Sequence, residues 1–378
     1  GAALDQLIPV ADANEGQGEA AELLAQLQVL NSADLNTALS ELAPVEAATP
    51  GAIAISGASG YAAVQGGYLA SRRDGTAPVF MASGSLSNPS SLVPSVPAGS
   101  LASAAAEPWV FGEAIRERDR AGEDESLGVD TDLADRYGMN VWAKLYAFES
   151  DLDAEGTRPG YRGDFVGGQV GVDWRLGDSV ILGLGFGVLD TEADLEPDAG
   201  EVNAEGFRLG PYFSWTGADW FVDGSFSYGL SDYEQDRTIR LPGQPVQTAR
   251  GEYDGEDLTG YLAVGRAFQF EGGWRLTPAV SLRYSTFDFD GYAETGAGVQ
   301  NMVVADRSQD SLQSRLSLTL SRRFTGDRLT FVPEVTVGWE HEFEDYDDVE
   351  ASFGVGGGPF QLAVGSPVEN ALVLGFGV

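Results

Sequence analysis

The sequence predicts an all-β protein, an antiparallel up-and-down transmembrane β-barrel that follows a helical and linker region. Three observations lead to this fold class. Bulky apolar residues alternate with small or charged ones in ten segments after residue 139. Short turns between these segments alternate with longer acidic connections. The chain has no run of 18 or more apolar residues, which excludes a membrane-spanning helix.

The alternation is clearest in segments 165–174 and 180–188. In the second, every other position is aliphatic or aromatic, and the intervening positions include Gly183, Gly185 and Gly187. Successive side chains of a strand point to opposite faces, so one face is large and apolar while the other is small or charged. Such a strand fits a wall between lipid and a polar lumen. Residues 175–178 make a connection short enough for a hairpin.

Residues 1–76 are predicted to be a helical region that precedes the barrel. Leucines recur at helical spacing from Leu23 to Leu30 and again from Leu35 to Leu42, and Asn31 and Ser32 between them are N-cap candidates. A stretch of small residues, 52–73, follows. Two interpretations stay open for this region, an ordinary helical hairpin and a specialised role.

Residues 77–138 are predicted to be a linker that could also plug the pore. Residues 77–108 are rich in Ser, Pro, Ala and Gly, which is typical of a linker or of an irregular segment threaded along another part of the protein. Residues 109–136 are strongly charged and could form a short helix or stay mobile.

Ten strands are predicted in the barrel region, residues 139–378. Most come near the ~9–11 residues that a tilted strand needs to cross a bilayer. They are expected at 141–148, 165–175, 180–189, 205–215, 220–230, 258–268, 274–286, 312–320, 329–339 and 372–378.

The connections between the strands predict the orientation of the barrel. Tight turns are expected near 177–178, 216–219, 271–273 and 325–327. Longer acidic connections lie at about 150–160, 190–203, 232–255, 288–306 and 342–360. In outer-membrane barrels the short turns face the periplasm and the long loops face outside. Tryptophans near strand ends are expected to form an aromatic girdle; they are Trp174, Trp215, Trp220, Trp274 and Trp339.

Composition limits the partners of the protein. The 378-residue chain has 58 acidic and 22 basic residues, a formal net charge of -36, which argues against a nucleic-acid partner because phosphate would be repelled. The acidity fits a surface that faces high salt or divalent cations, or simply a well-solvated exterior. The chain has no cysteine, which excludes disulfides and thiolate metal sites.

Four segments together resemble the translocator barrel of autotransporters, the type V secretion family, and the helical region that often precedes it. The segments are LNSADLNTALSEL at 30–42, VWAKLY at 141–146, FVGGQVGVDW at 165–174 and LGLGFG at 182–187. The resemblance implies anchoring in the outer membrane of a Gram-negative bacterium and export of an N-terminal passenger. It also implies recognition by the barrel-assembly machinery. We expect a monomer embedded in outer-membrane lipid.

The family barrel has twelve strands and ends in an aromatic residue. This sequence shows ten and stops at Val378 within the last. We therefore expect a C-terminal hairpin to be missing from it. A porin-like or structural outer-membrane barrel without a passenger is the alternative function.

Charged residues on the inner parity of the strands are predicted to line the lumen. They are Lys144, Asp173, Arg175, Arg208, Asp223, Arg283, Arg315 and Glu334. One hypothesis is that they surround a plug supplied by residues 77–136. The other is that they pair with one another and brace the wall.

No enzymatic activity, cofactor or metal is expected. An outer-membrane protease or phospholipase would need a catalytic cluster at the outer rim, and His341 is the only histidine, which also excludes multi-histidine metal sites. Acidic residues alternate from Asp190 to Asp198 without the spacing of an EF-hand. A solvated face and a weak Ca²⁺ site both stay open for them.

Overall fold

The structure is a computed structural model, which describes residues 8–9, 11, 18–43, 45–74, 81–86, 139–154, 159–196, 198–325, 330–362, 364 and 367–377. Its longer helices are α1 (Glu19–Gln28), α2 (Ser32–Leu42) and α3 (Thr49–Asp74), with a 3₁₀ turn at Val45–Ala48 between the last two. Further 3₁₀ turns lie at Glu271–Gly273 and Gly298–Gln300. Asn31 caps α2 as expected, because its Oδ1 accepts hydrogen bonds from the backbone N–H groups of Ala33 and Asp34, each at 3.0 Å. Among the described residues, no helix is long and apolar enough to cross a bilayer.

The strands that build the barrel wall run antiparallel in one curled sheet. They are β2 (Met139–Leu152), β3 (Gly160–Leu176), β4 (Val180–Glu196), β5 (Gly200–Gly217), β6 (Trp220–Ile239), β7 (Gln247–Arg266), β9 (Trp274–Phe289), β12 (Arg307–Arg322), β15 (Glu334–Glu342) and β18 (Asn370–Gly377). Each pairs with its neighbour in chain order. The predicted barrel architecture is confirmed, and a strand lies at each of the ten predicted positions.

The remaining strands are short. They are β1 (Met81–Leu86), β8 (Phe268–Gln269), β10 (Tyr292–Ala293), β11 (Met302–Val304), β13 (Phe324–Thr325), β14 (Thr330–Phe331), β16 (Val349–Phe353) and β17 (Phe360–Leu362). Strands β10, β11, β16 and β17 form a second sheet at the end of the barrel opposite the short turns. Strands β13 and β14 form a small hairpin at the short-turn end.

The two faces of the wall differ as the sequence predicts. On the outer face, apolar side chains are exposed, for example Leu184 and Phe186 of β4. On the inner face of the same strand, Gly183, Gly185 and Gly187 point toward the lumen. Five tryptophans lie exposed near the strand ends, as expected for a girdle; they are Trp174, Trp215, Trp220, Trp274 and Trp339.

Several strands are much longer than expected. Two of the connections predicted as long loops, 190–203 and 232–255, are mostly strand, because β4 continues to Glu196 and β6 continues to Ile239. In these extensions side chains still alternate between the two faces of the sheet. Acidic residues lie on the outer face, and Thr191, Ala193 and Leu195 are buried on the inner face. Water can solvate the outward carboxylates, and the inward residues still gain from burial. The sheet therefore extends beyond the apolar band.

The outer ends of these strands enclose a hydrophobic core together with the N-terminal helices. Leu23 and Leu27 of α1 and Leu42 of α2 are buried in it. The barrel contributes long-strand residues such as Tyr233, and the second sheet contributes residues such as Met302. We call this region the outer cap.

Strand β1 lies at one edge of the sheet, and β2 lies at the other. Strand β1 pairs antiparallel with β18, from Met81 opposite Gly377 to Leu86 opposite Leu372. These residues belong to the predicted linker, in which no strand was expected. Within the described part of the chain, β1 and β2 do not pair with each other. The rest of 77–138 lies outside the described residues.

Candidate functional site

The candidate site is the lumen, which holds α3. This helix is 26 residues long and would extend about 39 Å at 1.5 Å per residue. The wall strands that it contacts include β2, β3, β4, β5, β6 and β9. The helix that occupies the lumen thus comes from the predicted helical region 1–76, whereas the predicted plug 77–136 lies almost entirely outside the described residues.

Helix α3 fits inside the barrel because small residues face bulky ones across the contact. A Cβ added at Gly60 of the helix would lie 2.3 Å from a ring carbon of Phe148. On the wall, a Cβ added at Gly187 would lie 2.6 Å from the ring of Tyr61. These distances are shorter than van der Waals contact, so glycine is required for the helix and wall to approach this closely.

Polar contacts fix the direction of α3. Near its N-terminus, Ser56 Oγ lies 3.1 Å from Tyr161 Oη and 3.3 Å from Ser150 Oγ, toward the outer end of the barrel. In its middle, the backbone carbonyl of Tyr61 accepts a hydrogen bond from Gln169 Nε2 at 2.9 Å. The helix therefore begins under the outer cap and runs toward the short turns.

The C-terminal half of α3 meets Asp173, a fully buried carboxylate of β3. Tyr68 Oη donates a hydrogen bond to Asp173 Oδ2, and Arg72 Nη2 donates one to Oδ1 at 3.0 Å. Tyr212 also donates to Oδ2, at 3.2 Å. The ring of Tyr68 stacks on Trp142 with 4.2 Å between ring centroids. The carboxylate of Asp173 therefore accepts hydrogen bonds from two side chains of α3 and one side chain of the wall.

A second ion pair joins the helix to another strand of the wall at this end. Arg73 pairs with the buried Asp223 of β6, and its guanidinium carbon lies 3.8 Å from the ring centroid of Phe221. Arg72 and Arg73 thus reach different strands from adjacent positions. The last turn of a helix carries partial negative charge, so two arginines there also complement the helix dipole.

On the wall away from these contacts, charged side chains contact polar or charged side chains of other wall strands. Arg208 Nη2 lies 3.0 Å from Asp257 Oδ1, with both side chains buried. Arg315 Nη2 lies 2.6 Å from Glu340 Oε2. Arg283 donates a hydrogen bond to Gln313. These contacts join β5, β7, β9, β12 and β15 from inside.

The eight predicted lumen residues fall into different environments. Asp173 and Asp223 contact α3, while Arg208, Arg283 and Arg315 contact other wall residues. Lys144 is half-buried on β2, and Glu334 is half-buried on β15 opposite Gly377. Arg175 is exposed at the end of β3.

Several site residues were missed by the sequence analysis. On α3 they are Tyr61, Gln65, Tyr68 and Arg72, whose spacing of four, three and four residues places them on one face of the helix. This spacing indicates a contact face on the helix. The description of 52–73 as a stretch of small residues did not reveal that face. The wall partners Trp142, Tyr212, Asp257 and Glu340 share the inward parity of the predicted lumen residues.

At the outer end, a buried ion pair fastens the cap. Arg237 of β6 forms a bidentate contact with Glu294, with Nε–Oε1 at 2.8 Å and Nη2–Oε2 at 2.6 Å. Its Nη1 also donates to the backbone carbonyl of Glu41 on α2 at 3.1 Å. Glu46 is buried nearby, and this burial raises its carboxyl pKa to about 7 even though Arg237 opposes the shift.

The predicted acidic stretch from Asp190 to Asp198 does not converge on a point. Its residues Asp190, Glu192, Asp194 and Glu196 project from the outer face of β4 into solvent. Across the described residues, no group of three or more His, Cys, Asp or Glu side chains is arranged to hold a metal ion.

Comparisons with known proteins agree with this architecture. The family model described as the autotransporter beta-domain matches residues 141–378. Outer membrane protein A of Rickettsia conorii is 26% identical over 224 residues, which cover 57% of this chain and 11% of that protein. Probable outer membrane protein PmpD of Chlamydia trachomatis is 25% identical over 236 residues, covering 60% of this chain and 14% of that protein.

Among solved structures, the translocator domain of the autotransporter NalP from Neisseria meningitidis matches with a TM-score of 0.48 and 17% identity. The match covers 72% of this chain and 96% of that one. The chain spans about a tenth of the length of the first curated relatives it matches. Because the family model covers more than half of the sequence, the chain belongs to the autotransporter β-domain family, as an outer-membrane β-barrel of a Gram-negative bacterium.

Proposed function

We propose that this barrel anchors an N-terminal passenger and exports it to the cell surface, and that α3 is the segment left in the lumen after transit. The observation that carries the proposal is the path of α3. Its N-terminal end lies beside Tyr161 near the outer cap, and its C-terminal end lies beside Asp173 and Asp223 near the short turns. Any residues upstream of α3 therefore emerge on the side that faces outside in outer-membrane barrels.

The lumen charges are proposed to serve two roles. Asp173 and Asp223 hold the exported segment through Arg72 and Arg73, and pairs such as Arg208–Asp257 brace the wall around it. This division combines the two hypotheses drawn from the sequence, with the plug supplied by 49–74 instead of 77–136. We propose no catalytic role for the barrel, and we propose the barrel-assembly machinery as a partner through its family.

Epitope accessibility tests the export path. An epitope fused before residue 1 is expected to bind antibody on intact cells, because α1 and α2 lie at the outer cap. An epitope inserted in the turn at Gly177 and Asp178 serves as the matched control and should be detected only after the outer membrane is permeabilised. Detection of the first epitope only after permeabilisation would refute the proposal.

Planar-bilayer conductance tests the role of α3 as a plug. Arg72→Ala together with Arg73→Ala removes both ion pairs with the wall, so conductance should rise and fluctuate as the helix leaves the lumen. Arg162→Ala removes an exposed ion pair with Asp151 at the outer rim and is the control. If the double variant conducts like the unmodified protein, the ion pairs do not retain the plug. A barrel that conducts freely before any change would favour the porin-like alternative.

A further inference from the structure

Two arginines lie on the lipid face of the barrel, each between aromatic rings. The guanidinium carbon of Arg266, at the end of β7, lies 4.8 Å from the ring centroid of Phe268 and 5.6 Å from that of Trp220. Arg322, at the end of β12, repeats the arrangement with Phe324 at 4.7 Å and Trp274 at 5.1 Å. We call these groups the two arginine clusters.

The two clusters have the same construction. In each, the phenylalanine follows its arginine by two residues, and a tryptophan that begins the neighbouring strand is the register partner of the arginine. The tryptophans and phenylalanines of both clusters are exposed on the outer surface. Both arginines share the outward parity of the apolar residues that precede them on their strands. The clusters therefore lie in the aromatic girdle at the periplasmic end, at the depth of lipid headgroups.

Their guanidinium groups retain capacity to bind an anion. Arg266 Nη2 lies 3.8 Å from Asp219 Oδ2, beyond hydrogen-bond distance, and both side chains are partly exposed. Arg322 donates one hydrogen bond from Nε to the backbone carbonyl of Gly272 at 3.2 Å. Neither arginine forms an ion pair within hydrogen-bond distance among the described residues.

The opposite end of the same strand pairs carries the opposite charge. On β6 and β7, Tyr228 Oη donates to Glu256 at 2.5 Å, and on β9 and β12, Tyr284 Oη donates to Asp310 at 3.2 Å. From Trp220 to Tyr228, and from Trp274 to Tyr284, the strands extend about 26–33 Å, or about 20–25 Å across the bilayer at the usual tilt. This separation is close to the height of the apolar band. The arginine clusters therefore border the band at one end, and the tyrosine–carboxylate pairs border it at the other.

We propose that the two arginine clusters bind the phosphate groups of glycerophospholipids in the periplasmic leaflet, one lipid at each cluster. The planar guanidinium matches the geometry of phosphate oxygens, and the adjacent rings provide an apolar surface for the glycerol and upper acyl region. The formal net charge of -36 repels anions from most of the protein. A phosphate is therefore attracted to the periplasmic end of the lipid face and repelled from its outer end.

Native mass spectrometry of the full chain in detergent tests the proposal. The probe is dioleoylphosphatidylglycerol, and dioleoylglycerol, which has the same acyl chains and no phosphate, is the lipid control. The unmodified protein should retain up to two phosphatidylglycerol molecules and little diacylglycerol. Arg266→Gln and Arg322→Gln should each weaken retention of one lipid about tenfold, and the double variant should lose both.

The matched protein control is Arg250→Gln, which removes an outward arginine from β7 at its other end, where Arg250 Nε lies 3.2 Å from Asp236. This variant should retain phosphatidylglycerol like the unmodified protein. Heat-modifiable migration on a gel confirms that each variant is folded. Equal retention of diacylglycerol and phosphatidylglycerol by the unmodified protein would overturn the proposal without any variant, and so would undiminished retention by the folded double variant.

Discussion

Asp173 is the residue at which the contacts between helix and wall converge. Its carboxylate is fully buried and accepts hydrogen bonds from Tyr68, Arg72 and Tyr212. Charge-assisted hydrogen bonds of this kind are stronger than neutral ones, and a buried charge that loses its partner is costly. The attachment of the last turns of α3 therefore depends strongly on this one side chain.

Asp173→Asn keeps the shape of the side chain and removes its charge, so it isolates the electrostatic contribution. We expect the C-terminal half of α3 to open more easily, by about 1–3 kcal/mol, because Arg72 loses its counter-charge. Hydrogen exchange of residues 64–74 in the detergent-solubilised barrel measures this opening.

Asp151→Asn is the control, since Asp151 and Arg162 form a pair in which both side chains are more than 60% exposed. Exposed pairs contribute about 0–1 kcal/mol. Equal effects of the two substitutions on exchange would contradict a special role for Asp173.

Glu46 predicts a pH dependence of the outer cap. The charged groups that act on its carboxyl are Arg237, Glu294 and Glu41. Its pKa is raised from 4.5 to about 7 in the folded cap, so between these values the folded state binds more protons than the open state. Stability of the cap is therefore greatest below about pH 4.5, falls as the pH rises toward 7, and is constant above it.

The expected loss between pH 5 and pH 8 is about 2–3 kcal/mol. Hydrogen exchange of residues 32–48, corrected for the intrinsic rate at each pH, gives the opening free energy. Glu46→Gln should abolish the dependence, because an amide does not titrate in this range. A dependence that persists in the variant would assign it to another group.

At the scale of elements, α3 and the wall fit through complementary small and large residues. Gly187 of β4 faces Tyr61, and Gly60 of α3 faces Phe148. Where a bulky ring of one partner lies against glycine of the other, the backbones of helix and wall can approach closely. This accounts for a helix made mainly of glycine, alanine and serine inside a glycine-lined wall.

Gly187→Leu should displace α3 from the wall. Its Cβ alone would lie 2.6 Å from Tyr61 and 3.0 Å from Gln169, and overpacking of this kind costs about 1–3 kcal/mol. We expect a higher conductance in planar bilayers, with a folded barrel by heat-modifiable migration. Gly260→Leu is the control, since a Cβ at Gly260 of β7 meets nothing within 4 Å. A similar rise in both variants would show that the effect does not arise at the helix.

The sequence located the barrel strands because period-two alternation is a local property. It underestimated their length at Glu196 and Ile239, where outward residues change from apolar to acidic while the alternation continues. It did not identify the helix that lies in the lumen, for a different reason. The fit of Tyr61 to Gly187, or of Arg72 to Asp173, joins residues more than 100 positions apart, and neither segment alone indicates its partner.

At the scale of the whole molecule, acidic residues accumulate on the outer face of the strand extensions. Asp190, Glu205, Asp232 and Asp254 are successive register partners across β4 to β7, so carboxylates stand directly opposite each other in one row. Side chains opposite each other on neighbouring strands are about 4.5–5.5 Å apart at Cβ, and like charges at that separation are destabilising. The burial of the inward residues of the outer cap offsets this repulsion.

This row predicts that salt stabilises the outer extensions specifically. Raising NaCl from 10 mM to 500 mM shortens the Debye length from about 30 Å to about 4 Å and screens the repulsion between carboxylates. Hydrogen exchange should therefore slow in residues 190–205 and 232–254, while the same strands near their short turns, where aliphatic and aromatic residues dominate the outer face, should change little.

Magnesium chloride at matched ionic strength separates general screening from a cation site. If screening alone acts, Mg²⁺ and Na⁺ should protect the extensions to about the same degree, because the carboxylates of the row project outward and do not converge. Substantially greater protection by Mg²⁺ would instead show that adjacent carboxylates chelate the ion. If exchange is insensitive to either salt, the repulsion is already relieved by the rest of the fold, and the long acidic strands are stable through their buried inner face alone.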